Sequence, residues 1–132
     1  MRNAKILLVD DDADHNRVLK ALLENDRYTV VTAIDRAEGM ERIKSDKPNL
    51  IILDVMMSSW HDGFEMSREL KKDPHFRHIP ILILTAIEGR GGLSFEAAAG
   101  DPVWLPVDGY LEKPAEPEQL LTEVRTLLSK AS

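Results

Sequence analysis

The chain contains no cysteine. That excludes disulfides, thiolate metal centres and a cysteine nucleophile. Positive charge is in deficit, with 17 Lys and Arg against 23 Asp and Glu and a formal charge of -6. Phosphate backbones require clustered Lys and Arg, so direct nucleic-acid binding is not expected. Long hydrophobic runs are missing too. The first, Ile6 to Val9, is far too short for a signal peptide or a membrane span. The expectation is therefore a cytoplasmic protein with no membrane partner. Linkers, internal repeats and low-complexity tracts are also absent, so residues 1–132 read as a single domain. What remains, 43% hydrophobic and 30% charged, is an ordinary globular composition.

The apolar pattern alternates between two periods. Residues 4–9 form a short apolar run that "DDDAD" stops. Val18, Leu19, Leu22 and Leu23 mark one face of a helix over 14–26. The β-branched stretch 28–33 predicts a strand. Ala37, Met40 and Ile43 then predict a helix over 35–45. A wholly apolar strand at 49–53 is followed by a helix at 62–73 that Pro74 ends, and by a second wholly apolar strand at 79–84. A weaker strand is expected at 107–112. From Glu116 onward, Leu120, Leu121, Val124, Leu127 and Leu128 give a terminal helix. Alternation of this kind implies an α/β fold, a parallel sheet with helices on both faces. The runs 6–9, 50–53 and 81–84 lack polar alternation, as central strands buried on both sides do. Between 88 and 106, glycines and prolines leave room only for a short helix near 93–99.

The stretch "LIILDVMM" (50–57) places one carboxylate, Asp54, inside an apolar run. Buried alone, it would be costly. In open parallel sheets, ligands bind at the carboxyl ends of the strands. Asp10, Asp11 and Asp12 follow the first strand, Asp54 the third, Thr85 the fourth, and Lys113 lies just past the fifth. All map to one rim. Two carboxylates about 4 Å apart repel by roughly 4 kcal/mol at an effective dielectric near 20, so a cation must compensate. Oxygen-only ligands favour Mg²⁺. Lys113 and the Thr85 hydroxyl can hold phosphoryl oxygens, and an Asp beside them can act as the nucleophile. Taken singly, these residues have plainer readings. Asp12 and Asp14 suit caps of the first helix, and His61 suits a solvated loop. Trp104 suits local packing, and Trp60 suits either a core edge or a partner patch.

The motifs "LLVDDD" (7–12), "LIILDVMM" (50–57), "LILTA" (82–86) and "YLEKP" (110–114) resemble those of receiver domains of two-component response regulators, over essentially the whole chain. The resemblance implies a flavodoxin-like (βα)5 doubly wound sheet of order 2-1-3-4-5, with an extended region between the fourth and fifth strands. It implies Asp54 as phosphoacceptor. It also implies Mg²⁺ held by Asp11, Asp54 and the Met56 backbone carbonyl, with Asp10 acting through water. Thr85 and Lys113 would grip the phosphoryl group, and Tyr110 would be the aromatic switch that turns inward when Thr85 moves. A cis bond is implied at Lys113–Pro114. The implied partners are a histidine kinase or phosphotransfer protein and an unidentified output protein, and a homodimer is allowed. Such a chain phosphorylates and dephosphorylates itself and turns over no separate substrate.

The chain departs from the family pattern in two places. Ser58 stands where a proline is usual, with Gly63 one residue later than usual, and the Thr85-to-Lys113 interval is longer than usual. The first implies a slightly longer loop beside the acceptor, and the second an altered signalling face. Met56 and Ile87 occupy positions that tune dephosphorylation in the family. Both are apolar here, which implies a shielded, longer-lived acyl phosphate. Two other functions compete with the switch. One is a phosphorylation-independent adaptor that binds through residues 88–106. The other is an Asp-nucleophile phosphohydrolase, which wants an acid two residues after the nucleophile, where Met56 stands.

Overall fold

A computed structural model of the chain describes residues 4–55, 60–85, 108–112 and 116–131. They form β1 (Lys5–Val9), α1 (Ala13–Asn25), β2 (Thr29–Ala33), α2 (Arg36–Asp46), β3 (Leu50–Val55), α3 (Trp60–Lys72), β4 (Ile81–Thr85), β5 (Gly109–Glu112) and α4 (Pro117–Ala131). The strands pair in parallel in the order β2-β1-β3-β4-β5, the expected doubly wound arrangement. The expected short helix at 93–99, the stretch 88–106 with Trp104, and the Lys113–Pro114 bond lie outside the described residues.

The unbroken apolar runs of the central strands have a direct structural cause. Successive side chains on a strand point to opposite faces, and both faces here are covered. Ile6, Leu8, Leu50, Ile52, Leu82 and Leu84 pack beneath α1 and α4, against Leu19, Leu23, Leu120 and Val124. Leu7, Ile51, Leu53, Ile81 and Ile83 pack on the other side, against Ile43 of α2 and Met66 and Leu70 of α3. Each of these strand residues is at most 2% exposed. At Gly39, a Cβ would fall 2.9 Å from Met66 Cε and 3.2 Å from Val9 Cγ2, so α2 lies close over the end of β1.

The structure corrects four local expectations. Val18 is 64% exposed, because the buried stripe of α1 runs through Asn16, Leu19 and Leu23, and Val18 flanks it. On α2 the inward face is Gly39, Met40 and Ile43, and Ala37 is exposed. The third helix begins at Trp60, two residues earlier than expected. β3 continues past Leu53 because its ladder with β4 carries on through Asp54↔Leu84 and Val55↔Thr85. Asp54 therefore belongs to the strand and does not merely follow it.

Two polar anchors secure the far end of the sheet and the last helix. The Lys71 ammonium donates to the carbonyls of Arg77 and Ile79 and lies 2.9 Å from Asp108 Oδ2. That oxygen also accepts the Ile81 amide at 2.8 Å, while the Asp108 amide donates to the Ile81 carbonyl. Arg125 of α4 reaches both carboxylate oxygens of Asp26, at 3.3 and 3.1 Å. Beside that pair, burial pushes the Tyr28 phenol above its ordinary value; the Asp26 carboxylate adds to the rise and Arg125 opposes it. The folded state thus holds the phenol proton more tightly than the unfolded chain. This contribution is present below the unfolded value of about 10 and is lost as pH rises through the folded one. Urea denaturation series are expected to show stability falling above about pH 10. The fall should be smaller in Tyr28→Phe than in the wild type.

Candidate functional site

The carboxyl ends of adjacent strands bring Asp10, Asp54 and Thr85 to one rim. Val9 pairs with Leu53, so the next residues on those strands are Asp10 and Asp54. Asp54 pairs in turn with Leu84, Val55 with Thr85, and Thr85 with Glu112. Lys113 is the next residue in the chain. Neighbouring strands lie about 4.8 Å apart, so Asp10, Asp54 and Thr85 share a band two strand spacings across. Asp54, Thr85 and Tyr110 are placed here by their backbone, Tyr110 opposite Ile83. Met56, Ser58, Ile87 and Lys113 lie outside the described residues.

The β1–α1 junction is described in full, and its geometry follows from "DDDADHN". Asp12 is the N-cap of α1, as expected. Its carboxylate accepts the amides of Asp14 and His15, at 3.0 and 3.2 Å. Asp14, the second residue of the helix, is an exposed first-turn acid and not a cap. Capping at Asp12 turns the first helical turn back over the end of β1. Asp10 is thereby enclosed, only 2% exposed, while Asp11 beside it is exposed.

Every part of Asp10 is tied down. Its amide donates to the Ala33 carbonyl, and its own carbonyl accepts Asn16 Nδ2 at 2.9 Å. Its Oδ1 accepts the Asp12 amide at 3.0 Å, and its Oδ2 lies 2.6 Å from His15 Nδ1. A buried carboxylate needs such donors to offset its lost hydration. The positive end of the α1 macrodipole favours the anion as well. Asn16 is itself buried and also donates to the Ala33 carbonyl at 3.3 Å. Among the described residues, its Oδ1 has no hydrogen-bond partner.

His15 and Asn16 are the residues that sequence reasoning missed. The available signal was their position in the first turn after an Asp cap, three and four residues on, where a side chain reaches back to the strand end. The donor set of the rim is oxygen: the Asp10 and Asp11 carboxylates, with Asp54 on the next strand. Such a set fits a hard divalent cation. Among the described residues, no three His, Asp or Glu groups gather closely enough to hold an ion.

Residues 6–125 match the family model for the response regulator receiver domain. The chain belongs to that family. The receiver is 39% identical to response regulator PleD of Caulobacter vibrioides over 95% of its length, covering 26% of that protein. It is 34% identical over 98% of its length to the alkaline phosphatase synthesis transcriptional regulatory protein PhoP of Bacillus subtilis, covering 50% of it. It thus spans between a quarter and a half of these relatives. Among solved structures, chemotaxis protein CheY4 of Vibrio cholerae superposes with a TM-score of 0.79 at 30% identity, covering 94% of this receiver and 98% of that chain. Among the described residues, no helix is long and apolar enough to cross a membrane.

Proposed function

We propose that this receiver is a phosphorylation-controlled switch in which Asp54 accepts a phosphoryl group from a histidine kinase or phosphotransfer protein. The observation that carries the reading is the strand register, which sets Asp54 between the anchored carboxylate of Asp10 and the Thr85 end of β4. An Asp54 carboxylate oxygen forms the new P–O bond as the donor's bond to phosphorus breaks, and the donor's leaving group departs with its electron pair. Lys113 and the Thr85 hydroxyl hold phosphoryl oxygens. Asp11, Asp54 and the Met56 carbonyl are the residues that would hold Mg²⁺, with Asp10 binding through water. The ion would supply charge neutralisation for the oxygens of the transferred group.

The acyl phosphate changes the contacts available to Thr85 and Tyr110. Partner affinity changes by as much as those contacts differ between the two states. The receiver works in the cytoplasm, its output partner is a protein, and it turns over no separate substrate. Apolar Met56 and Ile87 keep water from the acyl phosphate and lengthen its life. The test is intact mass after incubation with acetyl phosphate. One phosphoryl group is expected with Mg²⁺, none with a chelator, and release by hydroxylamine, which cleaves acyl phosphates. A mass unchanged under all conditions would remove the switch and favour the adaptor reading.

A further inference from the structure

We propose that His15 is a positioning residue that fixes the Asp10 carboxylate for divalent-cation binding, an inference that rests on the receiver reading of the rim. His15 is the third residue of α1, and its ring nitrogen Nδ1 lies 2.6 Å from Asp10 Oδ2. The Asp12 amide holds the other carboxylate oxygen at 3.0 Å. With a donor on each oxygen, the carboxyl plane cannot rotate about its χ2 axis without breaking one of the two bonds. The main chain beneath it is fixed too, by Ala33 and by Asn16 Nδ2. The pair is asymmetric in solvent access. The Asp10 side chain is 1% exposed and the His15 ring 31% exposed. The imidazole thus holds one edge of the carboxylate while its own outer edge stays in contact with solvent.

Such an arrangement has a known energetic consequence. Mg²⁺ demands near-ideal octahedral geometry and keeps several of its waters. A carboxylate that meets one of those waters has to present its oxygens in one orientation. Where that orientation is preset, binding carries no further ordering cost. Hydrogen-bond partners that orient metal-binding groups are typically worth 10–100-fold in affinity. His15 acts on the cation only through Asp10.

The experiment is calorimetric titration of Mg²⁺ into the wild type, His15→Ala, His15→Leu and His15→Asn, with folding checked by circular dichroism. The same titration is run on Asp10→Asn with and without His15→Ala. Loss of the imidazole is expected to weaken Mg²⁺ binding about tenfold in the Ala and Leu variants. Asn places an amide Nδ2 close to where imidazole Nδ1 lies, and it is expected to restore most of the affinity. In the Asp10→Asn background, His15→Ala is expected to change nothing further. If Ala fails to fold, the Leu and Asn variants carry the comparison. Unchanged or tighter binding in the Ala and Leu variants overturns the inference alone, as does an equal loss in the Asp10→Asn background. A wild type that binds no Mg²⁺ overturns the receiver reading of the rim, and the inference with it.

Discussion

Asp54→Asn is expected to take up no phosphoryl group from acetyl phosphate while becoming at least as stable as the wild type. The two effects have one cause. The amide is nearly isosteric but has no anionic oxygen to form an acyl phosphate, so transfer to this position is abolished outright. The same change removes one charge from a rim on which Asp10, Asp11 and Asp54 are neighbours. Like charges on one rim repel, and the loss of one of them relieves that repulsion. Intact mass and peptide mapping measure the first effect, urea denaturation the second. Phosphate mapping to Asp11 in the variant would show that the rim is reactive but the nucleophile misassigned. Lower stability in Asp54→Asn would mean that Asp54 is a structural carboxylate, paired as Asp10 is.

Ile52→Ala is expected to remove about 3–4 kcal/mol of stability. Ile52 is 1% exposed, at the centre of the sheet, with Leu8 and Leu82 as its ladder neighbours on the α1/α4 face. Flanking strands leave little room for the cavity to collapse, which keeps the loss above the low end of the range for such truncations. Against a typical total of about 5–15 kcal/mol, this brings the domain close to unfolding near physiological temperature. The midpoint of urea denaturation should shift while its slope stays constant. Val18→Ala is the matched control. Val18 is apolar and helical but 64% exposed, and its truncation is expected to stay within about 0.5 kcal/mol.

The contrast between those residues explains what was legible in the sequence. Uninterrupted apolar runs at 50–53 and 81–84 have only one comfortable home, a strand covered on both faces. They revealed the parallel sheet and, through it, the rim. Strand ends then placed Asp10, Asp54 and Thr85 together, because the register of parallel strands brings their carboxyl ends level. Helix faces were less legible. Val18 and Leu19 are adjacent and equally apolar, and only the orientation of α1 over β1 buries one and exposes the other. The inward stripe of α1 even begins with a polar residue, Asn16, which no hydrophobic count would select. His15 was hidden for a related reason. Its role depends on a cap that bends five residues into contact, and caps are visible in the sequence while the side chains they bring together are not.

The clamp of Lys71 and Asp108 bears on how such a domain tolerates change. Asp108 fixes the entry to β5 against Ile81, at the opposite end of the sheet from the rim. The pairing of Val55 with Thr85 fixes the exit from β4. Residues 86–107 therefore depart from one fixed point and arrive at another. A one-residue slip of β5 would turn every side chain of the strand to the opposite face, and the two hydrogen bonds between Asp108 and Ile81 resist that slip. Length can consequently be gained or lost between the two points without being transmitted to the strand that leads into Lys113.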